Sequence, residues 1–238
     1  MKRFCVMTTG RAGSTSLMKA LAQCQGVGLP DAAIGCDDYE LLHPRKRSQY
    51  VPHLERLTQQ SIVTIKQLVE AFYGSHSHCQ AAGFKSMPNR HPDYEHFIRS
   101  GQVTFITLVR RDIPSTIASF MLAMNQGTWR RRGGVPTRQW TFNPARTQRV
   151  HNNIVYLRKA LSQLEAIQNP IRLVYEDLCQ PEFTCPQLDA FFERRIQLDS
   201  PQPATCGESY VTNWNEFSDF VQEVWSRQDC TYELAEMR

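Results

Sequence analysis

The stretch "TTGRAGSTSLMKAL" carries the residues with the clearest chemistry in this 238-residue sequence. Gly10 and Gly13 mark a turn after an apolar segment, and Ser14, Thr15 and Ser16 open an amphipathic helix. Backbone N–H groups at a helix start, its partial positive charge and three hydroxyls would point at one spot. The stretch therefore predicts either a site for a phosphate-like anion or an ordinary serine-capped helix after a glycine turn.

The same stretch departs from the magnesium-dependent nucleotide loop. That loop reads GxxxxGK[ST], with a lysine directly after the second glycine. Here Ser14 follows Gly13, and the nearest cation, Arg11, comes two positions before that glycine. The arrangement disfavours ordinary ATP or GTP hydrolysis, and it favours an anion that takes its countercharge from Arg11 and needs no metal.

Alternating strands and helices must position these residues. Apolar, β-branched stretches predict strands at Arg3 to Thr9, Ala82 to Met87, Gln102 to Arg110 and Ile171 to Tyr175. Helical periodicity predicts helices over 14–24 and 54–73 and a longer helix with Asn143 as its cap and Pro144 as its first residue. The pattern indicates an α/β fold, with a central parallel sheet of about four to five strands and helices on both faces.

Apolar side chains recur at helical spacing on the inward faces of these segments. In the helix predicted over 54–73 we expect Leu57, Ile65, Leu68 and Phe72 to point inward. In the long helix the inward residues are Val150, Ile154, Leu157, Leu161 and Leu164. Two later helices are predicted to bury Leu188, Phe191 and Phe192, and Trp214, Phe217, Val221 and Trp225. Aromatic stripes of this kind indicate a core or a subunit contact more than a substrate site.

Composition bounds the class of protein. The chain is 41% hydrophobic with a net charge of +4, enough apolar residue for a core, and we expect one domain over residues 1–238. Its apolar runs are too short for a membrane span or a secretory signal. Eight cysteines without a CxxC pair indicate reduced thiols in a cytoplasmic protein.

The small net charge hides an uneven distribution. Residues 110–159 hold nine Arg and one Lys against the single acid Asp112, whereas residues 160–238 hold five basic and 14 acidic residues. A concentrated basic stretch predicts a surface that faces an anionic partner.

The "RAGSTSL" loop after an apolar strand resembles the 5′-phosphosulfate loop of the sulfotransferase family. Carbohydrate-modifying members carry "RSGS[ST]" there, so the likeness is to bacterial members that modify carbohydrates or glycolipids. It implies the donor 3′-phosphoadenosine 5′-phosphosulfate (PAPS), the product 3′,5′-bisphosphoadenosine (PAP) and no metal. The donor's phosphosulfate would then be held by Arg11, Ala12, Gly13, Ser14, Thr15 and Ser16.

The segment "FITLVRRDIPSTIASFM" is similar to the family's second signature. There an Arg that ends a strand and a Ser eight residues later hold the donor's 3′-phosphate, and Arg111 and Ser119 have that spacing. Arg110 ranks second, because it would point to the opposite face if the strand continued through it. Taken alone, the segment also fits a solvated helix start.

Two further segments match the family in order. Lys85 of "GFKSMPN" resembles the strand-end Lys that stabilises the leaving oxygen, but Met87 stands where members acting on small acceptors have a catalytic His. The segment "RLVYEDL" resembles a strand end whose Tyr175 and Glu176 we expect to pack or hydrogen-bond beside the site without taking part in the chemistry.

The general base must lie elsewhere. A short segment after the first helix often supplies a Glu in bacterial members, and "DDYELLHPR" makes Glu40 the first choice. His43 is second, because a neutral imidazole is the commonest base near pH 7. Asp37 and Asp38 stay open, since a loop alignment can slip by two or three residues.

The resemblance implies in-line attack of an acceptor hydroxyl on sulfur. Glu40 would remove the hydroxyl proton as general base, and Lys85 with Arg11 would neutralise the charge on the leaving oxygen. The basic segment around Trp129 to Arg132 would cover the donor or line the acceptor cleft, or else form a solvated loop. Two other classes stay in view: a small-molecule kinase with a phosphate loop, and a non-catalytic nucleotide- or polyanion-binding protein. Nucleic acid is disfavoured by the acidic C-terminal portion and by the absence of a recognised motif.

Overall fold

A computed structural model describes residues 1–30, 39–88, 103–126, 139–197 and 211–227. Its sheet has five strands, all paired in parallel, in the order β2-β3-β1-β4-β5. The strands are β1 (Lys2–Thr8), β2 (Val27–Gly28), β3 (Ala81–Ser86), β4 (Thr104–Val109) and β5 (Ile171–Val174). The predicted α/β class and parallel sheet are confirmed, and four of the strands lie where the sequence placed them.

Eight helices connect and cover the strands within the described ranges. They are α1 (Ser14–Gln23), α2 (Pro44–Thr58), α3 (Ile65–Ser75), α4 (Ile113–Gln126), α5 (Gln148–Glu165), α6 (Tyr175–Leu178), α7 (Pro186–Phe192) and α8 (Trp214–Ser226).

Alternation along the central strand β1 divides the core into two layers. Phe4 and Val6 pack with α1 and α7, whereas Cys5 and Met7 pack with α2 and α3. Because successive side chains of a strand point to opposite faces, a strand that is apolar throughout requires cover on both sides. Helices therefore flank both faces of the sheet, as predicted.

A third apolar cluster joins α4, α5 and α8. Of the residues expected on the inward face of α5, Val150, Ile154, Leu157 and Leu164 are buried, and Leu161 packs against the cluster's margin. In α8 the buried residues are Phe217, Val221 and Val224. The aromatic stripe of α8 is thus core, with Trp214 and Trp225 at its edge.

Two predicted helices have different limits. The single helix over 54–73 is wrong: α2 ends at Thr58 and α3 begins at Ile65, because Thr64 and Gln67 form a capping box. Leu57 is consequently 59% exposed instead of inward-facing. Asn143 and Pro144 do not open α5, which begins at Gln148; Asn143 instead accepts a hydrogen bond from the Ala145 N–H in a turn.

Five cysteines of the described ranges have free thiols, Cys5, Cys24, Cys79, Cys179 and Cys185. Burial raises the pKa of the Cys5 thiol, which keeps it protonated. Helices of the described ranges are all too short or too polar to cross a bilayer.

Candidate functional site

The carboxyl ends of β1, β3, β4 and β5 share one edge of the sheet, because all of these strands run parallel. The loop of residues 9–13 leaves β1 at this edge and leads into α1. Ligands of open α/β sheets bind outside this edge, so the loop lies where a site is expected.

The loop has an unusual backbone. Arg11 has φ 65° and Gly13 has φ 76°, both in the left-handed region. Gly13 is the N-terminal flanking residue of α1 and has no side chain with which to cap it, and the first turn of the helix contains no acidic residue. The Gly13 carbonyl accepts from the Ser16 N–H at 3.0 Å, which tightens the turn. The start of α1 thus has the partial positive charge of a helix N-terminus, with neither a capping side chain from Gly13 nor an acidic residue in its own first turn to offset it.

Both loop glycines are required by close approach. A Cβ at Gly10 would lie 2.7 Å from Phe120 Cζ, and one at Gly13 would lie 2.3 Å from Tyr175 Cδ2. Only glycine lets α4 and α6 pack this closely on the loop. The loop is therefore clamped between the helices that follow β4 and β5.

Arg11 and Ser119 meet directly, although 108 positions separate them. The Arg11 Nε–H donates to Ser119 Oγ at 2.8 Å, and Ser119 is buried. Two segments that the sequence analysis had singled out separately are thereby joined in one site.

Two buried polar atoms beside the loop have no hydrogen-bond partner in the described part of the chain. They are Thr9 Oγ1 and Arg110 Nε. Thr9 is 1% exposed and Arg110 is 7% exposed. Buried donors without partners are uncommon in folded proteins and call for an explanation such as a bound ligand.

Arg110 and Arg111 occupy different surroundings. Arg110 places its guanidinium over the Tyr175 ring, 5.1 Å from the centroid, whereas the Arg111 side chain is 66% exposed and pairs with Asp177 at 3.3 Å. The strand ends at Val109, and the contact with Tyr175 puts Arg110 on the face that α1 covers. The second rank of Arg110 depends on the condition that the strand continues through it, and that condition is not met; Arg110 lies on the same face of the sheet as α1.

Tyr175 and Glu176 take the packing roles expected of them. Tyr175 contacts Gly13 and Arg110, and Glu176 accepts hydrogen bonds from the N–H groups of Arg111 at 3.1 Å and Asp112 at 3.0 Å. Glu176 thus anchors the turn that leads into α4. Tyr175, placed at a strand end by the sequence, is the first residue of α6.

Lys85 lies in β3 opposite Val6 of β1, one residue before the strand ends. Phe84 faces the α2–α3 layer, so Lys85 faces the α1 layer by alternation. Its side chain is buried and partnered. The structure thus brings Lys85, the loop and Arg110 to the same face of the same edge.

The segment that holds both candidate bases docks on the end of β3. The Lys85 N–H donates to the Tyr39 carbonyl at 2.8 Å, and the neighbouring Glu40 is 3% exposed. The Glu40 carbonyl accepts from the His43 N–H at 3.3 Å, and His43 is half-buried. Glu40 is thus a buried carboxyl group whose backbone neighbour, Tyr39, is bonded to Lys85, and a buried acid is a stronger candidate for proton transfer than a solvated one.

Several sequence candidates lie outside the described residues: Asp37, Asp38 and the segment from Trp129 to Arg132. Met87, which is described, accepts a long contact of 3.9 Å from the Tyr156 hydroxyl to its Sδ. Neither Tyr156 nor Thr9 is among the site residues predicted from the sequence. No motif marks Tyr156, whereas Thr9 is visible in the sequence as the threonine that follows the last residue of β1 and precedes the glycine turn.

No family model matches this sequence, and no curated protein matches it either. Within the described ranges, no three His, Cys, Asp or Glu side chains are grouped so that they could hold a metal ion. The case for a function therefore depends on the geometry at the sheet edge.

Proposed function

We propose that the protein is a sulfotransferase that moves a sulfuryl group from PAPS to a hydroxyl group of a carbohydrate or glycolipid acceptor. The observation that carries the proposal is the hydrogen bond from Arg11 Nε to Ser119 Oγ. It joins the loop that would hold the 5′-phosphosulfate to the helix whose serine would meet the 3′-phosphate. A donor with anionic groups at both ends needs these two elements side by side.

The cradle for the phosphosulfate is supported by three features of the loop. Gly13 has no side chain to cap the first turn of α1, its backbone turns at φ 76°, and Thr9 Oγ1 is buried without a hydrogen-bond partner among the described residues. Each feature favours an anion with several oxygen acceptors, because backbone N–H groups and hydroxyls can donate to it together.

Residues at the carboxyl ends of the strands would have separate roles in the reaction. The acceptor oxygen forms a bond to sulfur while the bond between sulfur and the bridging phosphate oxygen breaks, and that oxygen keeps the electron pair in PAP. Glu40 takes the acceptor proton. Lys85, with Arg11, neutralises the charge that develops on the leaving oxygen, the role of preorganised electrostatic groups in such transfers.

A ligand titration tests the proposal against the two other classes. Without magnesium, PAP is expected to raise the melting temperature of the wild-type protein, whereas ATP and a DNA oligomer are expected to raise it little. A ligand present at about 100 times its Kd adds about 2.7 kcal/mol to the free energy of unfolding. Turnover is then measured with labelled PAPS on a panel of glycans and glycolipids.

Each outcome of that titration has a definite meaning. Stabilisation by ATP only when magnesium is present would replace the sulfotransferase with a kinase. Stabilisation by the DNA oligomer alone would indicate a polyanion-binding protein. Binding of PAP with no label transferred to any acceptor would favour a non-catalytic nucleotide-binding role.

A further inference from the structure

Arg110 is a buried cation whose hydrogen-bonding capacity is not used up by the described residues. Its side chain is 6% exposed, and its Nε–H has no hydrogen-bond partner in those ranges. Burying a guanidinium N–H without an acceptor is costly, so such a group is retained where a ligand completes it.

Arg3, which is half-buried, shows that stacking on a tyrosine ring does not by itself leave an arginine without a hydrogen-bond acceptor. Its guanidinium lies 4.8 Å from the Tyr73 centroid, much as Arg110 lies over Tyr175. Yet Arg3 Nη1 donates to both carboxylate oxygens of Glu70 at 3.1 Å. Arg3 lies near the amino end of β1, at the opposite end of the strand from the candidate site, and a protein carboxylate accepts from its guanidinium.

Glu176 is the acid nearest to Arg110, but it does not satisfy Nε. Its Oε1 is 3.9 Å from Arg110 Nε, beyond hydrogen-bond distance. Both of its oxygens already accept from backbone, Oε2 from the Arg111 N–H and Oε1 from the Asp112 N–H. The carboxylate holds the start of α4 and leaves the donor of Arg110 for another acceptor.

The position of Arg110 relates it to the loop rather than to Ser119. Its guanidinium lies over the Tyr175 ring, and the edge of that ring contacts Gly13 at the start of α1. The same Tyr175 ring therefore contacts both Arg110 and the loop that would hold the anion. Ser119 Oγ, in contrast, is engaged by Arg11.

We propose that Arg110 binds the anionic group held by residues 9–14, which under the proposed function is the 5′-phosphosulfate of the donor and not its 3′-phosphate. The chemical class of ligand is a 5′-phosphorylated or 5′-phosphosulfated nucleoside. The guanidinium would donate from Nε to a non-bridging oxygen of that group, in the charge-assisted geometry that arginine forms with phosphate. This inference rests on the proposed function.

The test uses three nucleotides that distinguish binding of the donor's 5′ group from binding of its 3′-phosphate. The Kd values of PAP, adenosine 5′-phosphate and adenosine 3′-phosphate are measured by calorimetry for wild type, Arg110→Met and the matched control Arg3→Met. Arg110→Met is expected to weaken PAP and adenosine 5′-phosphate by about 10- to 100-fold, the usual loss for a charged hydrogen bond. Adenosine 3′-phosphate should bind as it does to wild type, and Arg3→Met should leave all three ligands unchanged.

Arg110→Lys is a second variant that keeps the test informative if Arg110→Met does not fold. It keeps a cation beside Tyr175 but lacks the Nε donor, so a weaker but clear loss for the 5′-phosphate ligands is expected. Weakening confined to ligands with a 3′-phosphate would overturn the assignment, as would unchanged affinities in both Arg110 variants. Failure of wild type to bind PAP would instead overturn the proposed function and this inference with it.

Discussion

Arg11 combines a strained backbone with a fixed side chain. A non-glycine residue at φ 65° costs of order 1–3 kcal/mol and persists only where its surroundings hold it. Here the bond from its Nε to Ser119 Oγ is one such restraint, and Ser119 is itself buried on α4. The cation is thus set in place before any ligand arrives, which lowers the ordering cost of binding an anion.

Gly13 is the loop residue at which a single methyl group should do most damage. In Gly13→Ala the new Cβ would meet the Tyr175 ring at 2.3 Å in a left-handed backbone. We expect the free energy of unfolding to fall by about 2–4 kcal/mol, since steric overlap adds to backbone strain. Urea unfolding measures the loss, and calorimetry with PAP measures the accompanying loss of affinity.

Gly74→Ala is the matched control for that change. A Cβ at Gly74 meets nothing within 4 Å, and the residue lies in the last turn of α3. Alanine there should be neutral or stabilise the fold by up to about 1 kcal/mol. Equal destabilisation by the two alanines would mean that the contact between Gly13 and Tyr175 does not constrain the loop.

At the scale of elements, the sequence predicted strands better than helix limits. β1, β3 and β4 are largely apolar and buried on both faces of the sheet, so their signal is strong, whereas β5 is a short strand with Arg172 exposed. β2 has two residues and therefore no periodicity to detect. The break between α2 and α3 was legible, however, because Thr64 and Gln67 have capping-box spacing.

The start of α5 shows why some limits cannot be deduced from local sequence. Asn143 and Pro144 are good opening residues for a helix, yet Asn143 stays in a turn. The segment before it is held by distant contacts: Trp140 bridges to Val211, and the Asn213 side chain bonds both the N–H and the carbonyl of Phe142. These partners are 71 positions away, beyond any local pattern.

A histidine at the end of α3 makes a pH-sensitive contact with β2, the outermost strand on one side of the sheet. His76 flanks this helix end, and its ring lies against Gly28 of β2, where a Cβ would be 2.5 Å from Cδ2. Burial lowers the pKa of His76 from its ordinary value of 6.5, and the nearby His78 and His53 lower it further, although a hydrogen bond to the Phe72 carbonyl opposes the shift.

The sign of the pH effect follows from that depressed pKa. Below pH 6.5 the unfolded chain takes up a proton at His76 that the folded chain resists, so the free energy of unfolding falls as the pH drops toward the folded-state pKa. Urea unfolding at several pH values between about 7.5 and 5 should show this decline. His76→Gln should lose less stability over the same interval; a decline as steep as that of wild type would assign the effect to other groups.

For the whole molecule, the three apolar clusters have different relations to the site. The α1 layer and the α2–α3 layer both meet the sheet directly, and the loop and Lys85 lie on the α1 face at the carboxyl ends of the strands. The third cluster packs on the side of α4 that faces away from the loop, where Ile117, Ala118 and Met121 meet α5 and α8. On the other side of α4, Ser119 and Phe120 contact the loop. The α4 residues form a recognisable motif in the sequence, but their support by α8 depends on contacts between segments about 100 positions apart, which no local pattern predicts.

Phe217 tests that support. It is fully buried in α8, with Trp140 and Phe142 rings edge-on to it at 5.3 Å and 5.4 Å between centroids. Phe217→Ala should lower the free energy of unfolding by about 3–5 kcal/mol, because the cavity adds to the lost burial. The half-buried Phe220 on the same helix is the control, and its alanine variant should lose less.

Ligand binding separates support from direct contact. Because Phe217 touches the side of α4 that faces away from the loop, the folded fraction of Phe217→Ala should bind PAP with nearly the wild-type Kd. Calorimetry well below the melting temperature of the variant measures this. A large loss of PAP affinity with little loss of stability would instead place α8 at the ligand, and the acidic C-terminal portion would then have to be accommodated beside a highly anionic donor.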